Sequence, residues 1–149
     1  MKQNGTILYA HTEQKKSVSK LYVPKDYDFD NIFRAIFDYK DMLNHAKYAN
    51  NYDYNKAVYL MSEFQLVENG FFMLKEDASY GSPIATLFYE YYDDAETLKN
   101  RLKIDKESIQ CVVGNRDWVD GVVKYGDSQH PSLWEYADGV DTMEFLLNL

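Results

Sequence analysis

The chain has one thiol, Cys111, and it lies within an apolar segment, residues 109–113. A cysteine acts as a nucleophile when it is ionised and accessible, whereas a cysteine in an apolar run packs as a small hydrophobic side chain. We therefore predict that Cys111 is a core residue and not a catalytic one. A single cysteine cannot form an intramolecular disulfide, which favours a reducing compartment such as the cytoplasm.

The other reactive side chains do not form a catalytic or metal-binding pattern. His45 and His130 are far apart and have no second ligand at zinc spacing, so we interpret each as a loop hydrogen-bonding residue and predict no metal site. Ser128 lacks the context of a hydrolase nucleophile. The pair Asp93-Asp94 is better explained as the start of a helix than as a general acid and base. The sequence thus nominates no catalytic residue.

Composition and charge narrow the functional classes. The chain has 149 residues, of which 46% are hydrophobic and 16% aromatic, so we expect one folded domain spanning residues 1–149. The net charge of -8 repels phosphate backbones, which argues against nucleic-acid binding. No apolar run reaches membrane length, so we predict no membrane span and a cytoplasmic protein. Fourteen tyrosines indicate half-buried surfaces, such as a sheet face or an interface.

Alternating or apolar segments predict four β-strands. They are residues 18–23, 71–74, 84–92 and 109–113. The last is continuously apolar, which is typical of a strand buried on both faces, so we expect it in the interior of the sheet. Turn signals occur at Glu68-Asn69-Gly70 and at Asp120-Gly121, and the second predicts a tight hairpin.

Helical spacing of apolar side chains over residues 29–43 predicts an amphipathic helix that Asp28 or Asp30 caps. Two more helices are expected to start at the capping residues Asp94 and Asp141, the second of them covering residues 142–147.

The middle of the chain is harder to interpret. Residues 45–55 are rich in asparagine and tyrosine and predict a loop, while residues 56–67 fit either a helix or a strand. Because strands and helices alternate elsewhere, we predict an α/β fold, a mixed sheet with flanking helices.

Three segments carry a family resemblance. They are Ser17-Val-Ser-Lys-Leu-Tyr-Val-Pro-Lys-Asp-Tyr-Asp28, Tyr48-Ala-Asn-Asn-Tyr-Asp-Tyr-Asn-Lys-Ala-Val-Tyr-Leu-Met61 and Tyr125-Gly-Asp-Ser-Gln-His-Pro-Ser-Leu-Trp-Glu-Tyr-Ala-Asp-Gly-Val-Asp-Thr-Met-Glu-Phe145. Residues 17–149 resemble the C-terminal part of bacterial acyl-CoA reductases related to the luminescence fatty-acid reductase, which belong to the aldehyde dehydrogenase superfamily. Residues 1–16 form a divergent N-terminal segment. The resemblance implies the catalytic-domain portion of the aldehyde dehydrogenase fold.

The resemblance also implies a reaction whose main components are missing here. Such an enzyme attacks acyl-CoA with a cysteine thiolate, and hydride from NADP(H) or NAD(H) then yields the aldehyde. The cysteine would fall at or beside Lys15, where an amine would give a stable amide. No glycine-rich dinucleotide motif is present. We therefore expect a chain that is incomplete, inactive alone and binds no cofactor alone, whether a truncated gene product, a fragment or a remodelled paralogue.

By the same resemblance, Glu76 matches the glutamate that holds the nicotinamide ribose, although the usual acidic-x-Phe-Gly-Pro spacing is replaced by Glu76-Asp-Ala-Ser-Tyr-Gly-Ser-Pro83. The alternative for Glu76 is a solvated loop carboxylate. Asn50 and Asn51 are candidates for an active-site role or, alternatively, for turn formation.

A second functional class also fits the composition. A small acidic protein-binding module of the antitoxin or immunity type would use its negative charge to attract a basic partner and its aromatic residues to anchor the interface. In either class, exposed apolar faces would bind a protein partner or a second copy of the chain.

Overall fold

A computed structural model describes residues 6–9, 18–109, 111–114, 122–127, 130 and 141–148. Within these residues the chain folds as an α/β domain with one mixed sheet and helices on both of its faces. The predicted fold class is confirmed at this level.

Six strands form the sheet in the order β3-β4-β5-β2-β1-β6. They are β1 Thr6–Tyr9, β2 Lys20–Pro24, β3 Leu66–Glu68, β4 Met73–Glu76, β5 Thr86–Tyr92 and β6 Cys111–Val113. β5 pairs in parallel with both β4 and β2, whereas the β3–β4, β2–β1 and β1–β6 pairs are antiparallel. The parallel centre therefore has all three carboxyl ends on the same edge of the sheet.

In the described part of the chain, four α-helices accompany these strands. They are α1 Asp30–Ile36, which continues as a 3-10 helix over Phe37–Asn44, α2 Ala46–Met61, α3 Ala95–Ile104 and α4 Thr142–Leu147. Within the described part of the chain, no helix combines the length and apolar character needed to cross a bilayer.

Alternation of side chains along the strands divides the core between the two faces of the sheet. On one face, Leu21, Val23 and Leu87 pack against aromatic and aliphatic residues of α1 and the segment that precedes it. On the other face, Tyr22 packs against Leu98 and Leu102 of α3, and Met73 packs against Tyr52 of α2. We call this second surface the α2/α3 face.

Two of the predicted helix starts are confirmed. Asp94 accepts a hydrogen bond from the N–H of Thr97 at 2.8 Å, and Asp141 accepts from the N–H groups of Met143 and Glu144 at 3.0 Å each. The N-cap of α1 is Phe29, which offers no side-chain hydrogen bond, and not Asp30. Asp28, the other predicted capping residue, lies one residue before the N-cap and accepts a hydrogen bond from the N–H of Asp30 at 3.0 Å.

The prediction of a loop over residues 45–55 is wrong, because this segment forms most of α2. The helix attaches to the sheet region through polar groups. Tyr48 donates to the carbonyl of Phe71 at 2.9 Å, and Asn55 donates to the carbonyl of Ile84 at 3.0 Å. An inward face built from tyrosine and asparagine does not show an apolar helical period, so tertiary contacts decide the conformation.

The strand predicted at residues 109–113 is confirmed over Cys111–Val113, which form β6. β6 is the last of the six named strands, and residue 123 pairs on its other side: the N–H of Gly114 donates to the carbonyl of Val123 at 3.0 Å, and the N–H of Val123 donates to the carbonyl of Val112 at 2.9 Å. Val113 is buried, but Cys111 and Val112 are half-buried. The hairpin predicted at residues 120–121 lies outside the described residues.

Candidate functional site

A cavity of about 480 Å³ opens beside the end of β4. Its lining comes from the end of β4, the loop after it, β5 and the segment before β3: Phe64, Gln65, Glu76, Asp77, Ala78, Tyr89 and Glu90. In α/β proteins, ligands bind outside the carboxyl ends of parallel strands, because loops diverge there and leave a crevice. The cavity is therefore the candidate site, and Glu76 is the exposed carboxylate at its edge.

Two lysines lie beneath this site on the α2/α3 face of the sheet. Lys20 of β2 and Lys75 of β4 both pair in register with Phe88 of β5, so the three side chains form a row across the parallel strands. Lys20 is 0% exposed and Lys75 is 4% exposed. Charged side chains are rarely buried so completely unless they are paired, so their partners decide what they do.

Lys75 lies in an aromatic enclosure with one carboxylate. Its ammonium group is ion-paired with the carboxylate of Asp77. The ring centroids around it are Phe64 at 4.0 Å, Tyr59 at 5.2 Å and Phe88 at 5.3 Å. Aromatic faces attract a cation, and the attraction increases when water is excluded. Lys75 therefore joins the end of α2 to the centre of the sheet.

Lys20 makes a second set of polar contacts. Its Nζ lies 2.6 Å from Oε2 of Glu90 and donates a hydrogen bond to the carbonyl oxygen of Asp77. The rings of Tyr22 and Tyr80 lie 5.6 and 5.9 Å from the same nitrogen. Burial lowers the pKa of Lys20, and the hydrogen bond and charge of Glu90 oppose that shift.

Asp77 is the residue that both lysines contact. Its carboxylate also accepts a hydrogen bond from the N–H of Ser79 at 2.9 Å, and its own N–H donates to the carbonyl of Tyr89 at 3.1 Å. Burial would raise the pKa of Asp77, but the hydrogen bonds from Lys75 and Ser79 outweigh it and lower the pKa to about 2. Asp77 is therefore an anion at neutral pH.

Glu90 connects Lys20 to α3. Its Oε1 lies 2.8 Å from Nη1 of Arg101, whose Nε lies 3.5 Å from Oδ2 of Asp105. Tyr80 donates to that same oxygen of Asp105, and burial followed by this hydrogen bond raises the pKa of Tyr80.

Three cations and three carboxylates thus neutralise one another: Lys20, Lys75 and Arg101 against Asp77, Glu90 and Asp105. None of the three cations is arranged as a free nucleophile. The network's chemical role is to hold the loop after β4 against the sheet.

Among the described residues, Glu76 is the one predicted site residue that lies at the cavity. Burial raises the pKa of the neighbouring Tyr89 to about 12, with Tyr91 and Glu76 acting in the same direction. Tyr89 is itself buried in the core on the α1 face, so the exposed carboxylate of Glu76 is the group that gives the cavity edge a hydrogen-bond acceptor.

The other sequence candidates do not line this cavity. Asn51 donates to the carbonyl of Lys47 at 2.7 Å within α2, and Asn50 is exposed on the same helix. Cys111 is half-buried in β6, and His45 is the N-cap of α2. The described residues contain no group of three or more histidine, cysteine, aspartate or glutamate side chains that could hold a metal ion. Lys15 and Ser128 lie outside them.

Sequence reasoning did not identify Lys20 and Lys75. The available signal was weak: Lys20 shares the alternation of Tyr22 in a predicted strand, which puts a charge on an inward face. Lysine at such a position is also common on solvated strands, so the pattern alone does not separate the two cases.

No family model matches the chain, and no curated protein or solved structure matches it. The resemblance to acyl-CoA reductases stays a prediction.

Proposed function

We propose that this chain is the C-terminal catalytic-domain segment of an NAD(P)-dependent fatty-acyl-CoA reductase, incomplete and inactive on its own. The observation that carries the proposal is the position of Glu76. It ends a parallel strand, it is exposed, and it borders a cavity of about 480 Å³. That is where the resemblance requires a carboxylate able to accept hydrogen bonds from a ribose.

The site fits one end of a dinucleotide and not the whole of it. Glu76 can accept from ribose hydroxyls and Tyr89 can pack beside the sugar, whereas a pyrophosphate needs backbone donors at a helix N-terminus. In the described residues, the helix that begins at this edge is α3, and it follows Asp94 and not a glycine-rich turn. The cofactor would supply the hydride when bound, and this chain's part is to orient the ribose.

A complementation experiment tests the proposal. The chain is co-expressed with the N-terminal two thirds of a bacterial acyl-CoA reductase that retains its dinucleotide domain and cysteine but lacks its C-terminal third. We expect acyl-CoA-dependent oxidation of NADPH only when both pieces are present. Glu76→Gln should lower kcat/KM by about tenfold, the cost of weakening one charged hydrogen bond.

Glu96→Gln is the matched control, because it makes the same change on the exposed surface of α3. It should leave turnover at the wild-type level. An assembled but inactive complex, or equal activity with Glu76→Gln, would contradict the proposal.

A second candidate function is a small acidic protein-binding module of the antitoxin or immunity type. The observation that favours it is a set of exposed apolar side chains on the 3-10 helix, on α2 and just after α2: Phe37, Tyr39, Met42, Leu43, Tyr54, Val58, Leu60, Met61 and Phe64. Exposed apolar surface of this kind marks interaction sites. Residues 115–149 also carry seven acidic and two basic residues, a net of -5 within the total of -8.

The coding sequence immediately upstream discriminates between the two functions. A reading frame with a glycine-rich dinucleotide motif and a cysteine near its end supports the reductase. A small adjacent gene for a basic toxin supports the binding module, and co-purification of its product should then be lost when Tyr39 and Tyr54 are changed to serine.

A further inference from the structure

Asp77 is held at every polar group that it has. Its backbone oxygen accepts from Lys20, its carboxylate accepts from Lys75 and from the N–H of Ser79, and its backbone N–H donates to Tyr89. The two lysines reach it from different strands, one on each side of β5. Two buried ammonium groups contact this one loop residue, which is more than its attachment to the sheet requires. The contacts therefore also fix the position of a neighbouring residue.

The residue that this arrangement fixes most directly is Glu76. Glu76 is the last residue of β4 and pairs in register with Tyr89, and the bond from Asp77 N–H to the Tyr89 carbonyl holds the chain to β5 one residue further. With Asp77 immobile, the backbone of Glu76 is held on both sides. Its side chain therefore leaves the sheet at a defined point of the cavity edge.

Stability alone does not account for two lysines at these positions. Burying ammonium groups costs several kcal/mol each in desolvation, and apolar side chains of similar volume in their place are often neutral or stabilising. What an apolar pair cannot do is bind the carbonyl and the carboxylate of one loop residue at the same time. The two lysines therefore serve to orient the loop after β4.

We propose that Lys20 and Lys75 form a clamp on Asp77 that sets the position of the Glu76 carboxylate at the cavity. Lys20, Lys75 and Asp77 are positioning residues in this scheme, since they act through Glu76. The proposal depends on the function proposed above in one respect only, namely that Glu76 binds the ribose of the cofactor.

Amide hydrogen exchange on the chain by itself tests the clamp. In Lys75→Met we expect the N–H groups of Asp77 and Ser79 to exchange about tenfold faster, because the carboxylate that accepts from Ser79 is no longer anchored. Lys56→Met is the matched control, since Lys56 pairs with Glu68 on another part of the molecule. It should leave exchange at residues 77–79 unchanged.

Asp77→Asn provides a second variant in case Lys75→Met fails to fold. It keeps the shape of the side chain, removes the charge that pairs with Lys75, and should also accelerate exchange of Ser79. Unchanged exchange at Ser79 in a folded variant overturns the clamp.

A double-mutant cycle in the complemented enzyme tests whether the clamp acts through Glu76. Lys75→Met should lower kcat/KM by about tenfold in the wild-type background and by less than about twofold when Glu76 is already glutamine. Equal losses in both backgrounds would show that Lys75 acts independently of Glu76 and would overturn the positioning role. If the wild-type pieces give no turnover, the proposed function fails, and the exchange result alone supports or overturns the clamp.

Discussion

On the α2/α3 face of the sheet, Lys20 Nζ lies 2.6 Å from Oε2 of Glu90, and the lysine is fully buried. The other carboxylate oxygen of Glu90, Oε1, lies 2.8 Å from Nη1 of Arg101, so a single carboxylate pairs with two cations. Removing it leaves a buried ammonium group without its counter-charge.

Glu90→Gln should therefore reduce the free energy of unfolding by about 3–5 kcal/mol, the usual cost of breaking a buried ion pair by deleting one partner. Urea denaturation followed by far-ultraviolet circular dichroism measures this. Glu96→Gln makes the same chemical change on exposed α3 and should shift the free energy by less than about 0.5 kcal/mol. Similar values for the two variants would show that the pair contributes little.

Asp77 should give the protein a specific acid sensitivity. Its pKa is lowered from 3.8 to about 2 in the folded state, so its contribution is complete above the unfolded value and is lost as the pH falls through the folded one. The two values correspond to about 2 kcal/mol. The stability difference between wild type and Asp77→Asn should shrink by about that amount between about pH 6 and pH 2.

Tyr54→Phe is the control for this measurement, because it changes no group that titrates in the acid range. Its stability difference from wild type should stay constant with pH. A parallel pH dependence of wild type and Asp77→Asn would mean that Asp77 does not carry the effect.

Structural elements that a local sequence signal marks are predicted well, whereas elements that depend on long-range contacts are not. The capping aspartates Asp94 and Asp141 are local signals, because the side chain bonds to backbone only two or three residues away, and both predictions are confirmed. β6 is shorter than predicted, because an apolar run indicates buried side chains and does not define where backbone pairing begins. α2 was missed because its inward face uses the hydroxyl groups of Tyr48 and Tyr52.

The candidate site divides in the same way. The family resemblance identified Glu76, but nothing in the sequence singled out Lys20 and Lys75. The two lysines meet at Asp77 only when β2, β4 and β5 are aligned in the sheet. Lys20 and Asp77 are 57 positions apart, and a contact at that separation leaves no spacing rule in the sequence.

α3 offers a test of the core on the α2/α3 face. Leu98 is 2% exposed and packs with Tyr22 and Leu102, so Leu98→Ala should cost about 2–5 kcal/mol through lost burial and the cavity that remains. Ile104, on the same helix, is 81% exposed, and Ile104→Ala should cost less than about 0.5 kcal/mol. Thermal or urea denaturation measures the loss of stability in each variant. Comparable losses would show that Leu98 does not lie in the core on this face of the sheet.

Tyr52 provides the corresponding test for α2. It is buried, and its hydroxyl donates to Oε2 of Glu68 at 2.5 Å while Lys56 Nζ lies 2.6 Å from the other oxygen. Tyr52→Phe should cost about 1–2 kcal/mol, because Glu68 loses one of two partners. Tyr54→Phe, two residues away and exposed, should be within about 0.5 kcal/mol of wild type. If Tyr52→Phe is equally neutral, the bond does not anchor the helix.

The last prediction concerns cofactor binding by the chain alone. One carboxylate that bonds to a ribose contributes about 1–3 kcal/mol, whereas micromolar affinity requires about 8 kcal/mol. The sequence has no glycine-rich turn to bind the pyrophosphate, so Glu76 and the cavity beside it cannot close that gap. Calorimetric titration with NADP at millimolar concentration should therefore give no saturable heat, for wild type and for Glu76→Gln alike. Micromolar binding that disappears in Glu76→Gln would show that this chain builds a complete cofactor site, which would contradict the proposal that it is only a segment of the enzyme.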